Sequence, residues 1–214
     1  MHNALRPIAV HRGAAANFAI DAILAAQDFT IDVYVDDAAG SATIGEVPVV
    51  TFATWREDMR DIPSAVTALD PAERAGLVER LLAAGGRLAP IEIRGSAVSR
   101  NTTFGDGTLV DVGALFVGNL ITVGRHAIVM TPVSLGHDIV IGNFVTIFPS
   151  AAVSGHVVID DNVTIGVGAV ITNGRADRPL HIGRGAQIAT GAVVMSSVPP
   201  GVRVAGNPAR PVSE

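Results

Sequence analysis

Stepping by six from Leu109 finds an aliphatic residue every time: Leu109, Leu115, Ile121, Ala127, Val133, Ile139, Val145, Ala151, Val157, Val163 and Ala169. Two residues further on, ten of the eleven positions are aliphatic as well, Asp111 being the exception. Six is not a multiple of 3.6, so an amphipathic helix does not produce this pattern. Residues i and i+2 share one face of a strand, and a glycine or polar residue then lets the chain turn. The pattern predicts a parallel β-helix in which three short strands make one coil of 18 residues and the apolar rows fill a single prism. The phase breaks after Ile171 and resumes at Leu180, which predicts an inserted loop of five residues. Such loops on a solenoid often carry function. Weaker hexads run back to Ile91 and Ala97, with Gly105 out of pattern.

Residues 1–88 read differently. Strands are expected over 8–11, 31–35 and 65–69, with an extended piece over 47–50. Helices are expected up to about Ala26, near 52–59, and from Asp70 to Ala84. Asp70 would be the N-cap, Pro71 the first helical residue and Glu73 the partner in a capping box; Gly85-Gly86 would end the helix. Strands alternating with helices predict a small N-terminal Rossmann-like α/β unit over 1–88, followed by the β-helix over 89–214.

Composition narrows the function. The 214 residues are 49% hydrophobic and carry a net charge near −5, with no basic stripe for nucleic acid. There is no cysteine, hence no thiol nucleophile and no thiolate metal site. No apolar run is long enough for a membrane span and no leader is visible, so a soluble cytoplasmic protein without a membrane partner is expected.

The stretch 134–171 (SLGHDIVIGNFVTIFPSAAVSGHVVIDDNVTIGVGAVI) and the end at 204–210 (VAGNPAR) resemble the NeuD/PglD-type bacterial sugar O- and N-acetyltransferases. These belong to the hexapeptide-repeat left-handed β-helix acyltransferases. The resemblance implies acetyl-CoA as cosubstrate, no metal, a sugar or nucleotide-sugar acceptor, and a homotrimer with sites between neighbouring β-helices. It also implies His137-Asp138 as the catalytic pair, since the acceptor's proton needs a base and a carboxylate can fix the imidazole tautomer. By the same resemblance Gly155 holds the thioester oxygen through its N–H, Thr146 contacts the acetyl end, Val167, Ala189 and Thr190 line the pantetheine channel, and Arg210 meets a CoA phosphate. Asp36 and Asp37 match the acidic pair on the acceptor nucleotide, with Arg12 and Gly13 beside them.

Spacing adds a test independent of the resemblance. Residues 18 apart should stack about 4.8 Å apart, placing His137 between Asn119 and Gly155, and Asp138 between Leu120 and His156. Asp138 would then pair with His156 as well as, or instead of, His137. Arg175 and Arg178 in the inserted loop could reach CoA phosphates. Gly136, Met130, Thr146 and the single glycine of 11–17 depart from the family pattern, mostly on the acceptor side. Alternatives are a non-sugar acceptor, a catalytically decayed β-helix scaffold, or a β-helix zinc hydratase, for which the histidines lack the close-spaced pair.

Overall fold

The computed structural model describes residues 6–13, 24, 28–38, 43–91, 98–111 and 116–212. The chain divides into two compact units, Met1–Glu92 and Ile93–Glu214.

The first unit is built on a five-stranded sheet in the order β3-β4-β2-β1-β5. Its strands are β1 (Arg6–His11), β2 (Phe29–Val35), β3 (Thr43–Ile44), β4 (Val47–Val50) and β5 (Ser64–Val66). The run β4-β2-β1-β5 is parallel, and β3 joins it antiparallel at one edge. β1 ends in the buried run Ile8-Ala9-Val10-His11 and β2 in Val33-Tyr34-Val35, as strands covered on both faces do. The helix expected up to Ala26 lies outside the described residues, save Leu24, which is helical and buried. The one expected near 52–59 is a short α1 (Phe52–Thr54) running into a π-helical turn, Trp55–Met59. α2 (Pro71–Ala83) starts as its sequence dictates: the Asp70 carboxylate accepts the Glu73 N–H at 2.8 Å. The strand expected over 65–69 stops at Val66. The guanidinium of Arg74 takes the carbonyls of Ala68 and Leu69, leaving them no ladder partner to make.

The second unit is the parallel β-helix. Among the described residues its strands stack into three faces. The first holds Thr102–Phe104, Ile121–Val123, Ile139–Ile141, Val157–Ile159 and Leu180–Ile182. The second runs from Leu109–Val110 to Arg203–Ala205 and ends on an antiparallel strand, Arg210–Pro211. The third holds Phe116–Val117, Ser134–Leu135, Ala152–Val153, Val170–Ile171 and Val193–Val194. Register confirms the 18-residue coil, for example Ile121↔Ile139↔Val157. Val157 then pairs with Leu180, 23 residues on, so the five-residue insertion is real.

One expectation about phase is corrected. Leu109 pairs with Ile128 and Val110 with Val129, an offset of 19, whereas Phe116 pairs with Ser134, an offset of 18. One extra residue therefore lies between Val110 and Phe116, and the hexad run is not continuous back to Leu109. Thr108 stands beside Ala127, whose N–H its hydroxyl accepts, and Val110 takes the inward place. The exceptional Asp111 was the mark of that slip. Residues 112–115, with Leu115 among them, and Ala97 lie outside the described residues.

The corners repeat with the coil. Leu120, Asp138 and His156 all have left-handed φ near +55°, as do His126, Phe144 and Asn162. The left-handed region costs a non-glycine residue roughly 1–2 kcal/mol, so the corner is imposed by the buried rows on either side of it. Those rows, such as Val129, Ile147, Ile165, Ile188 and Val204, are 0–4% exposed.

Candidate functional site

The corner between the third and first faces carries the expected pair, His137 and Asp138. Leu135 ends a strand pointing inward, Gly136-His137-Asp138 makes the turn, and Ile139 points inward again. A methyl group at Gly136 would lie 3.0 Å from the backbone of Ser154 on the next coil, a tight contact that a small shift of either strand would relieve. The turn is pinned by Asp138 N–H to the Asn119 carbonyl and by His156 N–H to the His137 carbonyl, both at 3.0 Å. His137 thus lies between Asn119 and Gly155, and Asp138 between Leu120 and His156, as the spacing predicts.

Asp138 turns its carboxylate back onto its neighbour: Oδ2 lies 2.7 Å from Nδ1 of His137. A carboxylate accepts and does not donate, so the contact selects, for the neutral ring, the tautomer with its proton on Nδ1 and its lone pair on Nε2. Both side chains are about half exposed, so the pair orients the ring more than it stabilises the fold. His156 stands edge-on to His137, ring centroids 5.1 Å apart at 89°. Among the described residues, these three form the group whose ligand atoms could hold a metal, all within 4.8 Å of one another.

Gly155 is required beneath the imidazole. A methyl group there would lie 2.5 Å from Cε1 and 2.6 Å from Nε2 of His137. Gly155→Ala is therefore expected to tilt the ring and lower catalytic efficiency at least about tenfold. Its melting temperature should move little, since only an exposed side chain must give way; thiol-release kinetics beside a thermal melt check this. The Gly155 N–H itself is donated to Oδ1 of Asn173 at 2.9 Å. Sequence reasoning missed Asn173, although it stands 18 residues beyond Gly155 and the stacking rule reaches it.

The other expected site residues fall elsewhere. Val167, Ala189 and Thr190 line an open groove of about 410 Å³ at the corner between the second and third faces, with Phe148, Thr164 and Arg203. Thr146 lies on the second face and is fully buried, and one chain does not bring it to His137. Arg210 is exposed on the last strand, its guanidinium bonded to the Ala209 carbonyl.

In the first unit, Arg12, Gly13, Asp36 and Asp37 meet at the C-terminal ends of β1 and β2, around a cavity of about 170 Å³. Arg12 pairs with Asp36 at 3.4 Å and Arg80 with Asp37 at 2.6 Å. The Phe52 N–H and then Arg80 hold the Asp37 carboxyl below the usual range. His11, Phe52, Glu73, Leu77 and Arg80 complete the lining, and of these Arg80 and Phe52 gave no local signal, since they come from α2 and α1. His11 is 1% exposed; burial first, then the charge of Arg80, pushes its pKa down to about 4.

The unfolded chain therefore takes up a proton near pH 6.5 that the folded one refuses. Stability of this unit is expected to fall from pH 6.5 to about 4, by about 3 kcal/mol from His11. Trp55, whose ring lies 4.6 Å from His11, reports it by fluorescence in urea titrations. His11→Gln should flatten the slope.

These features define a hexapeptide-repeat β-helix protein with a His-Asp pair at one corner. No family model matches the chain. It is 42% identical over 139 residues to GDP-perosamine N-acetyltransferase of Escherichia coli O157:H7, covering 64% of this chain; it spans 62% of that relative's length. WeeI of Acinetobacter baumannii superimposes with a TM-score of 0.74 at 31% identity, covering 96% of this chain and 100% of its own. The acetyltransferase domain of PglB from Neisseria gonorrhoeae, solved in complex with acetyl coenzyme A, gives a TM-score of 0.81 at 27% identity over 97% and 99%. The chain belongs to the sugar acetyltransferases of the hexapeptide-repeat superfamily.

Proposed function

We propose that this chain transfers the acetyl group of acetyl-CoA to an amino or hydroxyl group of a bacterial sugar, in the first instance an amino group on a nucleotide-linked sugar. The observation that carries the reading is the 2.7 Å contact of Asp138 with Nδ1 of His137, which leaves Nε2 as a base above a residue without a side chain. In the proposed reaction the acceptor nitrogen attacks the thioester carbonyl and gives its proton to Nε2. The tetrahedral intermediate then expels the CoA thiolate, which takes the proton back. No acyl-enzyme forms, and no cysteine exists to carry one. The oxyanion is assigned to the Gly155 N–H, shared with or vacated by Asn173, whose Nδ2 is a second donor in place.

The groove of Val167, Ala189 and Thr190 is proposed for the pantetheine arm, with Arg210 toward the CoA phosphates. It lies on a different corner of the prism from His137, which supports a site completed by a second copy and hence a homotrimer of left-handed β-helices. Residues 89–214 would be the catalytic part. Residues 1–88 would be a Rossmann-like acceptor domain, with the nucleotide at the strand ends beside Arg12, Gly13, Asp36 and Asp37, where parallel sheets place ligands. Thr146, being buried, has a role at the acetyl end only if the second face opens.

One observation favours a second reading, a β-helix acetyltransferase whose acceptor carries no nucleotide. Asp36 and Asp37 of the N-terminal cavity are already paired with arginines, and its volume of about 170 Å³ is below the roughly 300 Å³ at which ligand pockets begin. Acetyl-CoA offered with GDP-perosamine, other nucleotide-linked amino sugars and the corresponding free sugars separates the two. Thiol release confined to nucleotide-linked acceptors supports the first reading; release with free sugars alone refutes it.

A further inference from the structure

The five-residue insertion adds a hairpin to the catalytic corner. Arg175 and Arg178 exchange both backbone N–H···O bonds at 3.0 Å. Residues paired directly opposite in an antiparallel bridge send their side chains to the same face. The two guanidiniums therefore leave the hairpin together, and both line a cleft of about 300 Å³ with Asn173, Met195, Ser196 and Ser197.

This cleft is lined by donors. Asn173 spends its Oδ1 on the Gly155 N–H, so its Nδ2 remains to donate. The Ser197 oxygen accepts the His181 N–H at 3.0 Å, leaving its own O–H. Among the described residues no carboxylate lines the cleft, and neither guanidinium has an ion pair or a side-chain hydrogen bond. Arg12, Arg80 and Arg184, by contrast, each meet an aspartate. In a chain with 20 acidic residues, two adjacent guanidiniums left unpaired and held on one side fit a multiply charged oxyanion, which Arg binds through parallel N–H donors.

Resting on the acetyltransferase reading, we propose that this cleft is a diphosphate-binding subsite of the catalytic corner. Asn173 stands two coils from His137, about 10 Å along the prism, and the two arginine side chains extend beyond it. Two diphosphates could reach there: that of a nucleotide-linked acceptor, and that of the cosubstrate at the far end of its pantetheine arm, about 15 Å from the thioester when extended. The chemistry of recognition is the same for both.

The test uses the full chain and inorganic pyrophosphate in calorimetry. Wild-type protein should bind pyrophosphate, and R175A/R178A at least about tenfold more weakly, with R175K/R178K intermediate. A control pair at another corner, R125A/R184A, should bind as wild type, and all four proteins should share one melting temperature. No binding by wild type, or equal binding by R175A/R178A, overturns the subsite. Affinities for acetyl-CoA and S-acetylpantetheine then identify the source. If R175A/R178A loses the wild-type preference for acetyl-CoA along with pyrophosphate, the cosubstrate's diphosphate occupies the cleft. If the preference survives while pyrophosphate binding is lost, the acceptor's does. Failure of wild type to bind acetyl-CoA at all would sink the acetyltransferase reading instead, a different result from loss of the subsite.

Discussion

His137→Ala is expected to lower kcat/KM for acetyl transfer by about 10²–10⁴-fold, roughly 3–5 kcal/mol of transition-state stabilisation, while acetyl-CoA affinity changes little. An amine attacking a thioester must shed a proton, and without a base it does so only to water. Nε2 of His137 is the candidate acceptor because Asp138 holds the other nitrogen at 2.7 Å. The neighbour His156, 5.1 Å away, is not fixed by a carboxylate in the same way, so it should rescue only part of the rate. The loss should fall on kcat more than on KM, since the imidazole acts on a proton that moves only in the transition state. The side chain is about half exposed, so the fold should be unaffected, and circular dichroism of the variant should overlay on wild type. A KM effect alone would assign His137 to binding and not to proton transfer.

The second large effect is on stability. Ile165→Ala is expected to destabilise the β-helix by about 2–5 kcal/mol. Ile165 is 0% exposed in the row Ile147-Ile165-Ile188, with a coil on either side, and a solenoid passes the loss of one layer to its neighbours only. The cavity cannot collapse without moving strands that are locked in register above and below. Val140, on the outer face of the first sheet and 49% exposed, is the comparison: Val140→Ala should cost less than about 0.5 kcal/mol. Urea titrations followed by far-UV circular dichroism read both.

The β-helix was legible because its period is enforced at every coil by burial, and the five-residue gap before Leu180 showed the inserted hairpin directly. The slip between Val110 and Phe116 was hidden. Leu109 is buried in either phase, so only Asp111 betrayed it. Phe144 and Leu120 at left-handed corners run against local preference, and the stacked rows, not the residues themselves, put them there. At the site, the family resemblance singles out His137 and Asp138, and Gly155 and Asn173 follow from His137 by steps of 18. The N-terminal cavity was half legible: Arg12 and Asp36 follow strand ends, whereas Arg80 meets Asp37 across 43 residues, a contact no local pattern encodes. Thr146 was placed by its match to the family alone, and the structure buries its side chain on the second face.

The most direct measurement is the mass of the acceptor after incubation of the full chain with acetyl-CoA and nucleotide-linked amino sugars, GDP-perosamine first. The account predicts an acceptor heavier by one acetyl group, one CoA thiol released for each, and loss of both with His137→Ala. Bound acetyl-CoA with no acetylated acceptor from any sugar offered, or full product formation by His137→Ala, would contradict it.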